Sequence, residues 1–236
     1  MIVFWRLFLA LMLTDFVFFP RPLQAWKNSR VKSIMLRTVT FAGLALLLCH
    51  NYLTEGWPFM EEVTLPGWVC ILLFSVFYGV TSYYFELGGK IKNGYTTTFF
   101  LKNIAYILFL VLMAPFRTLY ETGNFFVEQW VVFLVGFLLA TRVIGWFVYC
   151  VEQDLYGRDY PSFDEQWLLA LVRAVFFLIM LLPGWRWAVV WVVWLGACLY
   201  ARRSRLLDMP AWAFYVGVFG ATFIGLLVRL RFYLVG

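Results

Sequence analysis

Long apolar stretches alternate with short polar segments along this chain, and each stretch has about the length of a membrane-spanning helix. Eight of them can be placed, at residues 2–19, 34–52, 68–88, 97–115, 126–150, 166–182, 185–201 and 210–230. At a rise of about 1.5 Å per residue, a helix of about 20 residues crosses the roughly 30 Å hydrocarbon core of a bilayer. The pattern predicts an all-α fold, a polytopic transmembrane helix bundle of about eight spans.

The number of spans depends on one break, Pro183-Gly184, between the sixth and seventh stretches. A tight turn there, which we favour, gives two separate crossings, whereas a single re-entrant or kinked segment would leave seven. The joining segments are too short to fold on their own. We therefore expect a single transmembrane domain over residues 1–236 and no soluble domain, with weak halves possible at 1–120 and 121–236.

The charge of the joining segments alternates, which predicts an orientation. Basic residues lie in the first segment (Arg21, Lys27, Arg30, Lys32), the third (Lys90, Lys92) and the seventh (Arg202, Arg203, Arg205), and acidic residues lie in the second (Glu55, Glu61, Glu62). Cytoplasmic loops of membrane proteins are enriched in Lys and Arg. The odd-numbered segments should therefore be cytoplasmic and both termini non-cytoplasmic, although the fifth segment is mixed and Arg229 and Arg231 lie on the outer side.

The composition supports a membrane location and argues against nucleic acid as a partner. Hydrophobic residues make up 64% of the 236 positions and charged residues 14%, whereas soluble domains contain about 25% charged residues. The formal charge of +6 comes from basic residues clustered on one predicted side, which is ordinary membrane topology. Tryptophans near the span ends, such as Trp57, Trp68 and Trp130, fit an interfacial aromatic belt.

The sequence shows no recognisable catalytic or metal-binding motif. His50 is the only histidine, and with Cys49 beside it there are too few ligands nearby in sequence for a zinc site. Phosphate-binding loops, nucleophile elbows and dinucleotide fingerprints are also absent from the sequence. We therefore predict no metal, no cofactor and no catalytic residue. An enzymatic function is less favoured than a non-enzymatic one. Cys49 and Cys70 would lie at the same membrane face, so a disulfide is possible, but buried thiols are the simpler expectation.

Charges inside the apolar stretches are the best functional candidates, because each costs about 3 kcal/mol at mid-bilayer unless it is paired or hydrated. Asp15, Arg142 and Arg173 lie within the first, fifth and sixth stretches, and Glu86 closes the third. Asp15 could pair with Arg173 or Arg142, since all three are expected in the cytoplasmic half. In one interpretation these charges have a structural role, in which they pair to determine which helices are neighbours or extend to the membrane interface. Alternatively, they line a path for a solute or a proton.

A stripe of small residues marks the last stretch as a packing surface. Ala213, Gly217, Ala221 and Gly225 recur every four residues, which lets another helix backbone approach closely. The stripe serves either packing within the monomer or contact with a partner subunit or second copy.

Three segments resemble an uncharacterised family of bacterial multi-pass membrane proteins, the family labelled domain of unknown function 3307. The opening "LFLALMLTDFVFFPRPLQAWK" is similar to that family's first helix, where an acidic residue precedes a phenylalanine and a basic loop. "SFDEQWLLALVRAVFFLIMLLPGWRWAVV" is similar to its later acidic-arginine helix and turn, and "MPAWAFYVGVFGATFIGLLV" to its closing helix. The resemblance would cover most of the chain and implies a bacterial inner membrane as the location.

The chain departs from that family in its polar residues. The family places histidines with acidic residues in its first three helices, whereas Ala10, Met12 and Tyr83 lie in the corresponding helices here. Only Asp15, and loosely Glu86 with Lys90, carry over to this sequence. The resemblance therefore implies that any histidine-dependent activity of the family is lost in this chain, which is kept for its shape and its contacts.

Three functions follow as hypotheses from these observations. The first is a structural or accessory membrane protein that docks through its helix-packing faces onto partner subunits of a larger membrane complex, or onto a second copy. The second is a small-solute or ion transporter or channel that uses the intramembrane charges. The third and weakest is a membrane-embedded enzyme acting on lipid, which rests only on the family's polar residues.

Overall fold

Helices make up nearly all the regular structure of the protein, as the apolar stretches predict. A computed structural model describes residues 2–19, 30–60, 63–86, 94–114, 128–157, 163–204 and 210–234. The helices are α1 (Ile2–Leu13, continued by a π-helical turn at Thr14–Phe18), α2 (Arg30–Leu48), α3 (Gly67–Glu86), α4 (Tyr95–Met113), α5 (Gln129–Tyr156, with a π-helical turn at Leu139–Val143), α6 (Phe163–Met180), α7 (Arg186–Arg203) and α8 (Ala211–Leu234). Each predicted apolar stretch overlaps one of them, which confirms the helical fold class.

Within the described ranges, five helices rather than eight are long and apolar enough to cross a membrane. They are Val31–Leu48, Gly67–Phe85, Tyr95–Met113, Gln129–Tyr156 and Ala211–Phe232. Helix α6 offers a shorter apolar stretch, Gln166–Met180, and the α-helical part of α1 has only 12 residues. The protein is therefore compatible with membrane embedding, while a count of about eight crossings stays a prediction.

The chain divides into two compact units, Met1–Val135 and Gly136–Gly236, with the division inside α5. In the first unit α2 packs along α3, where the ring of Phe41 lies 5.0 Å from that of Phe74 and 5.2 Å from that of Tyr78. Helix α1 packs on α2 and α4, and α3 packs on α4. Aromatic rings thus fill the centre of this unit.

The second unit is organised around α6 and α8. These two helices pack along each other, and both contact the π-helical turn of α5, while α7 packs on α6. Phe176, Phe177, Val218 and Ala221 are almost fully buried at this junction. This unit therefore has an apolar core of its own.

The break at Pro183-Gly184 is a turn between two helices, as we favoured from the sequence. Gly184 has a φ of 64°, a left-handed conformation that glycine adopts without strain. The guanidinium of Arg229 on α8 donates hydrogen bonds to the carbonyls of Met180 (3.0 Å), Leu182 (2.7 Å) and Gly184 (2.9 Å). Arg229 therefore satisfies backbone acceptors that the end of α6 would otherwise leave open.

The segment between α2 and α3 forms a small β-hairpin, which corrects the expectation that every joining segment is too short to fold. Strands β1 (Gly56–Met60) and β2 (Val63–Pro66) pair antiparallel, with Trp57 opposite Leu65. Trp57 is 1% exposed and its indole N–H donates to the carbonyl of Tyr52 at 3.1 Å. This tryptophan is a core residue of the hairpin, so the interfacial-belt interpretation is wrong for it.

Gly67, the first residue of α3, should be required for this arrangement. A Cβ there would lie 2.6 Å from the carbonyl oxygen of Tyr52 and 2.7 Å from the Trp57 ring. We expect Gly67→Ala to lower the free energy of unfolding by about 1–3 kcal/mol, the usual cost of overpacking. Thermal unfolding in detergent, followed by tryptophan fluorescence, measures the effect. Gly43→Ala in α2 is the matched control, because nothing lies within 4 Å of a Cβ at Gly43; equal losses in both variants would contradict the packing role.

Candidate functional site

Asp15 lies in the π-helical turn that continues α1, inside the first unit. The hydroxyl of the preceding Thr14 donates to the carbonyl of Ala10 at 2.8 Å. A π-helical turn inserts an extra residue into the helical register and is frequent at functional sites. The Asp15 side chain is 7% exposed, so the turn presents a carboxylate to the interior of the unit.

The carboxylate of Asp15 has two partners on neighbouring helices. The ammonium of Lys102 on α4 lies 3.5 Å from one carboxylate oxygen, and the hydroxyl of Tyr78 on α3 donates to the other. The predicted pairing of Asp15 with Arg142 or Arg173 would join the two units and stays a prediction. Expected membrane depth, on which that pairing was based, leaves Tyr78 and Lys102 unselected, because depth alone does not determine which helices are neighbours.

The polar contacts continue from Tyr78 and Lys102 to the next turns of α3 and α4. The rings of Tyr78 and Tyr106 lie 5.0 Å apart, and the hydroxyls of Tyr106 and Ser82 are hydrogen bonded at 2.7 Å. The Lys102 ammonium lies 5.5 Å from the centroid of the Tyr106 ring. We call Asp15, Tyr78, Ser82, Lys102 and Tyr106 the Asp15 cluster.

A further buried cation, Arg37, lies beside this cluster on α2. Arg37 is 4% exposed, and its guanidinium carbon lies 5.5 Å from the centroid of the Phe19 ring. It precedes Phe41 by one helical turn, and the Phe41 ring lies 5.2 Å from that of Tyr78. Since Asp15 is the one acidic member, the cluster with Arg37 carries a formal charge of +1. A carboxylate, an ammonium and a phenol in contact can exchange protons and partners.

Sequence analysis did not select Tyr78, Ser82 or Lys102. The chain nevertheless carries a signal, because Tyr78 and Ser82 are four residues apart on α3, as are Lys102 and Tyr106 on α4. Residues at that spacing share one helix face. A polar pair on one face of each of two consecutive apolar helices predicts that the two faces meet.

The predicted charges Arg142 and Arg173 lie in the second unit. Arg142 lies in the π-helical turn of α5, with its guanidinium carbon 4.2 Å from the centroid of the Trp167 ring on α6. Arg173 on α6 is 9% exposed, and its guanidinium lies against Gly145 of α5. The structure thus brings these two arginines to the same pair of helices.

The predicted Glu86 is the last residue of α3, and its side chain lies outside the described part, as does Lys90.

His50 lies exposed just beyond α2, with its ring nitrogen 3.2 Å from the carbonyl of Leu47. Among the residues that the structure describes, no group of three or more His, Cys, Asp and Glu is arranged to hold a metal ion. Cys49 and Cys70 are both buried, and no disulfide joins them.

The small-residue stripe of α8 lies on the buried side of that helix. Ala213, Gly217, Ala221 and Gly225 are all buried. A Cβ at Gly225 would lie 2.8 Å from the Cβ of Met180 on α6. In this unit the stripe therefore packs against α6.

A second ion pair, which sequence analysis did not select, ties together three segments of the first unit. The guanidinium of Arg6 on α1 donates to both carboxylate oxygens of Glu128, at 2.8 and 2.5 Å, and to the carbonyl of Leu48 at 2.6 Å. The Tyr52 ring lies 5.2 Å from the Arg6 guanidinium carbon. The two side chains are 13% and 16% exposed. Because Glu128 immediately precedes α5, this bidentate pair connects the start of α5 to the first half of α1 and to the last residue of α2.

No family model, no curated protein and no solved structure matches this chain. The resemblance to the family labelled domain of unknown function 3307 therefore stays a prediction.

The Arg6–Glu128 pair should be important for stability. Glu128→Gln leaves a largely buried guanidinium without its counter-charge, and we expect a loss of about 3 kcal/mol in the free energy of unfolding. Denaturant unfolding in detergent measures the loss. Glu55→Gln, at an exposed acidic position, should change it by less than about 1 kcal/mol. A double-mutant cycle with Arg6→Met that shows no coupling would contradict the assignment.

The close approach of α6 to α8 should depend on Gly225. Gly225→Ala would bring a Cβ to 2.8 Å from the Cβ of Met180 and 2.9 Å from the carbonyl oxygen of Phe177. We expect a destabilisation of about 1–3 kcal/mol, visible as a lower unfolding temperature. Gly196→Ala on α7 has open space at its Cβ and should leave that temperature unchanged or raise it. If Gly225→Ala has the same unfolding temperature as the wild type, the close approach of α6 to α8 does not contribute to stability.

Proposed function

We propose that this chain is an integral membrane protein that conducts protons, in the manner of a proton-linked small-solute transporter, through the Asp15 cluster. The observation that carries the proposal is the contact of Asp15 with Lys102 and Tyr78 inside a bundle of apolar helices. Ionisable residues inside membrane helices are rare and mark ion pathways and proton relays.

The arrangement of the cluster supports exchange of a proton. Asp15 and Lys102 are separated by 3.5 Å, which is an ion pair at a distance longer than a tight charge-assisted hydrogen bond. Tyr78 meets the same carboxylate from a different helix. The carboxylate can therefore lose one partner and keep the other. When a proton binds to Asp15, the attraction to Lys102 is lost, while Asp15 stays hydrogen bonded to Tyr78.

The hypothesis of a docking subunit has weaker support. Its best evidence was the small-residue stripe of α8, and that stripe packs against α6 within the second unit. The exposed apolar side chains of the helices fit contact with lipid. The Asp15 cluster is a positive feature that docking does not explain.

Proton flux into vesicles tests the proposal. The full chain is reconstituted into liposomes that contain the pH-sensitive dye pyranine, and a pH gradient is imposed across the membrane. We expect wild-type vesicles to dissipate the gradient faster than protein-free vesicles, and Asp15→Asn vesicles to do so at the protein-free rate. Asn keeps the size and a hydrogen-bond acceptor but cannot carry the proton.

Asp154→Asn is the matched control, because Asp154 is an exposed acidic residue near the end of α5; it should conduct as the wild type does. If the proton flux is equal in wild-type and Asp15→Asn vesicles, Asp15 has no role in it. If the flux in wild-type vesicles does not exceed that in protein-free vesicles, the proposed proton path is wrong. Native mass spectrometry of the mildly solubilised protein would then test docking, through stoichiometric partner subunits.

A further inference from the structure

Ser33, in the first turn of α2, carries a buried hydroxyl for which the described residues provide no hydrogen-bond partner. The residue is 1% exposed and its Oγ is unpaired within the described ranges. Thr38 and Thr40 of the same helix donate to the carbonyls four residues earlier, at 2.9 and 2.8 Å. Ser33 lacks this option, because α2 begins at Arg30 and position 29 precedes it. A buried hydroxyl without a protein partner is a natural binding site for water.

The hydroxyl of Ser33 lies on the inward face of α2. Ser33, Arg37 and Phe41 follow one another at four-residue intervals, so they share one face of the helix. All three are buried, whereas Met35 and Val39 between them are exposed. At about 1.5 Å per residue, this face extends about 12 Å from Ser33 to Phe41. It therefore carries two polar residues near the start of the helix before it becomes apolar.

This face meets the elements that carry the Asp15 cluster. Helix α2 packs against α3 and against the π-helical turn of α1. The guanidinium of Arg37 lies beside the ring of Phe19, just after that turn, and the ring of Phe41 lies beside that of Tyr78. The polar part of the face therefore leads to the cluster from the end of the first unit where α1 ends and α2 begins.

The interior on the other side of the Asp15 cluster is apolar and tightly packed. Each of the helices α1 to α4 contributes an almost fully buried side chain there, namely Leu7, Ala45, Ile71 and Leu110. Ser75 in the same region donates its hydroxyl to the carbonyl of Ile71 at 2.7 Å, so its hydrogen bond is satisfied within α3. Beyond this layer lies the Arg6–Glu128 pair. Water from that end would have to cross the packed layer to reach Asp15.

We propose that water reaches the Asp15 cluster from one end only, between the π-helical turn of α1 and the start of α2, and that Ser33 binds and orients it. Delivery of protons by this water rests on the proposed proton path: a hydronium gives its proton to the Asp15 carboxylate, which becomes the neutral acid, and remains as water. Ser33 is a positioning residue, since its hydroxyl can donate to one water and accept from another. Access from one side at a time is typical of a transporter.

Hydroxyl-radical footprinting of the full wild-type chain in detergent tests the access of water. X-ray radiolysis forms the radicals from water inside the protein, and mass spectrometry locates the oxidised side chains. We expect oxidation of Tyr78 and Tyr106, although both are fully buried, and none of Phe74 and Cys70, which are as deeply buried on the apolar side of the cluster. Sulfur oxidises more readily than a phenol ring, so an unreacted Cys70 is a stringent control.

A matched pair of serine variants locates the route. Ser33→Ala removes the hydroxyl without adding bulk, and should lower the oxidation of Tyr78 by about 5-fold, as expected for a water that loses one ordinary hydrogen bond. It should also slow the proton flux in the pyranine assay. Ser75→Ala removes a buried serine hydroxyl that is bonded within its own helix, and should change neither the oxidation nor the flux.

The route is overturned if Tyr78 of the wild type stays unoxidised, or if its oxidation is the same in Ser33→Ala. If Ser33→Ala does not fold, the contrast between Tyr78 and Cys70 in the wild type decides. Footprinting measures water and the pyranine assay measures protons, so the two proposals fail separately. Oxidation of Tyr78 that depends on Ser33 in a protein without flux supports the route and rejects the proton path. Flux with an unoxidised Tyr78 rejects the route alone.

Discussion

A charged side chain buried among apolar helices has to find its partners within the protein, because the hydrocarbon core of a bilayer offers no water to solvate it. This constraint organises the polar interior of both units. Asp15 meets Lys102 and Tyr78, and Arg6 meets Glu128. Arg229 uses backbone carbonyls at the end of α6 instead of a carboxylate. Each solution joins elements that are far apart in sequence, so the polar contacts help to determine which helices are neighbours.

The two π-helical turns show how the chain presents charge within long apolar helices. In each turn a threonine hydroxyl bonds the carbonyl four residues earlier, Thr14 to Ala10 and Thr141 to Phe137. The next residue is a charge, Asp15 in α1 and Arg142 in α5. A regular α-helix has one residue for each backbone hydrogen bond, whereas the π turn contains one extra residue and changes the face on which the following side chain lies. A threonine that satisfies its hydroxyl locally can occupy such a turn without needing a partner on another helix.

The helices were predictable from sequence, because the length and apolar character of each stretch are local properties. The hairpin at Gly56–Pro66 was not, since its stability depends on burying Trp57 beneath the start of α3. Asp15, Arg142 and Arg173 could be selected as charges within apolar stretches from their neighbours in sequence. Their partners could not, because Asp15 contacts residues 63 and 87 positions away and membrane depth alone leaves several candidates. The same limit applies to Arg6 and Glu128, which are 122 residues apart.

The buried charges of the two units have different kinds of neighbour. In the first, Asp15 offsets Lys102 and Glu128 offsets Arg6. In the second, Arg142 lies over the Trp167 ring, and the guanidinium of Arg173 lies against Gly145. In the first unit a proton can therefore pass between groups that are already in contact, which is the step that the proposed proton path requires.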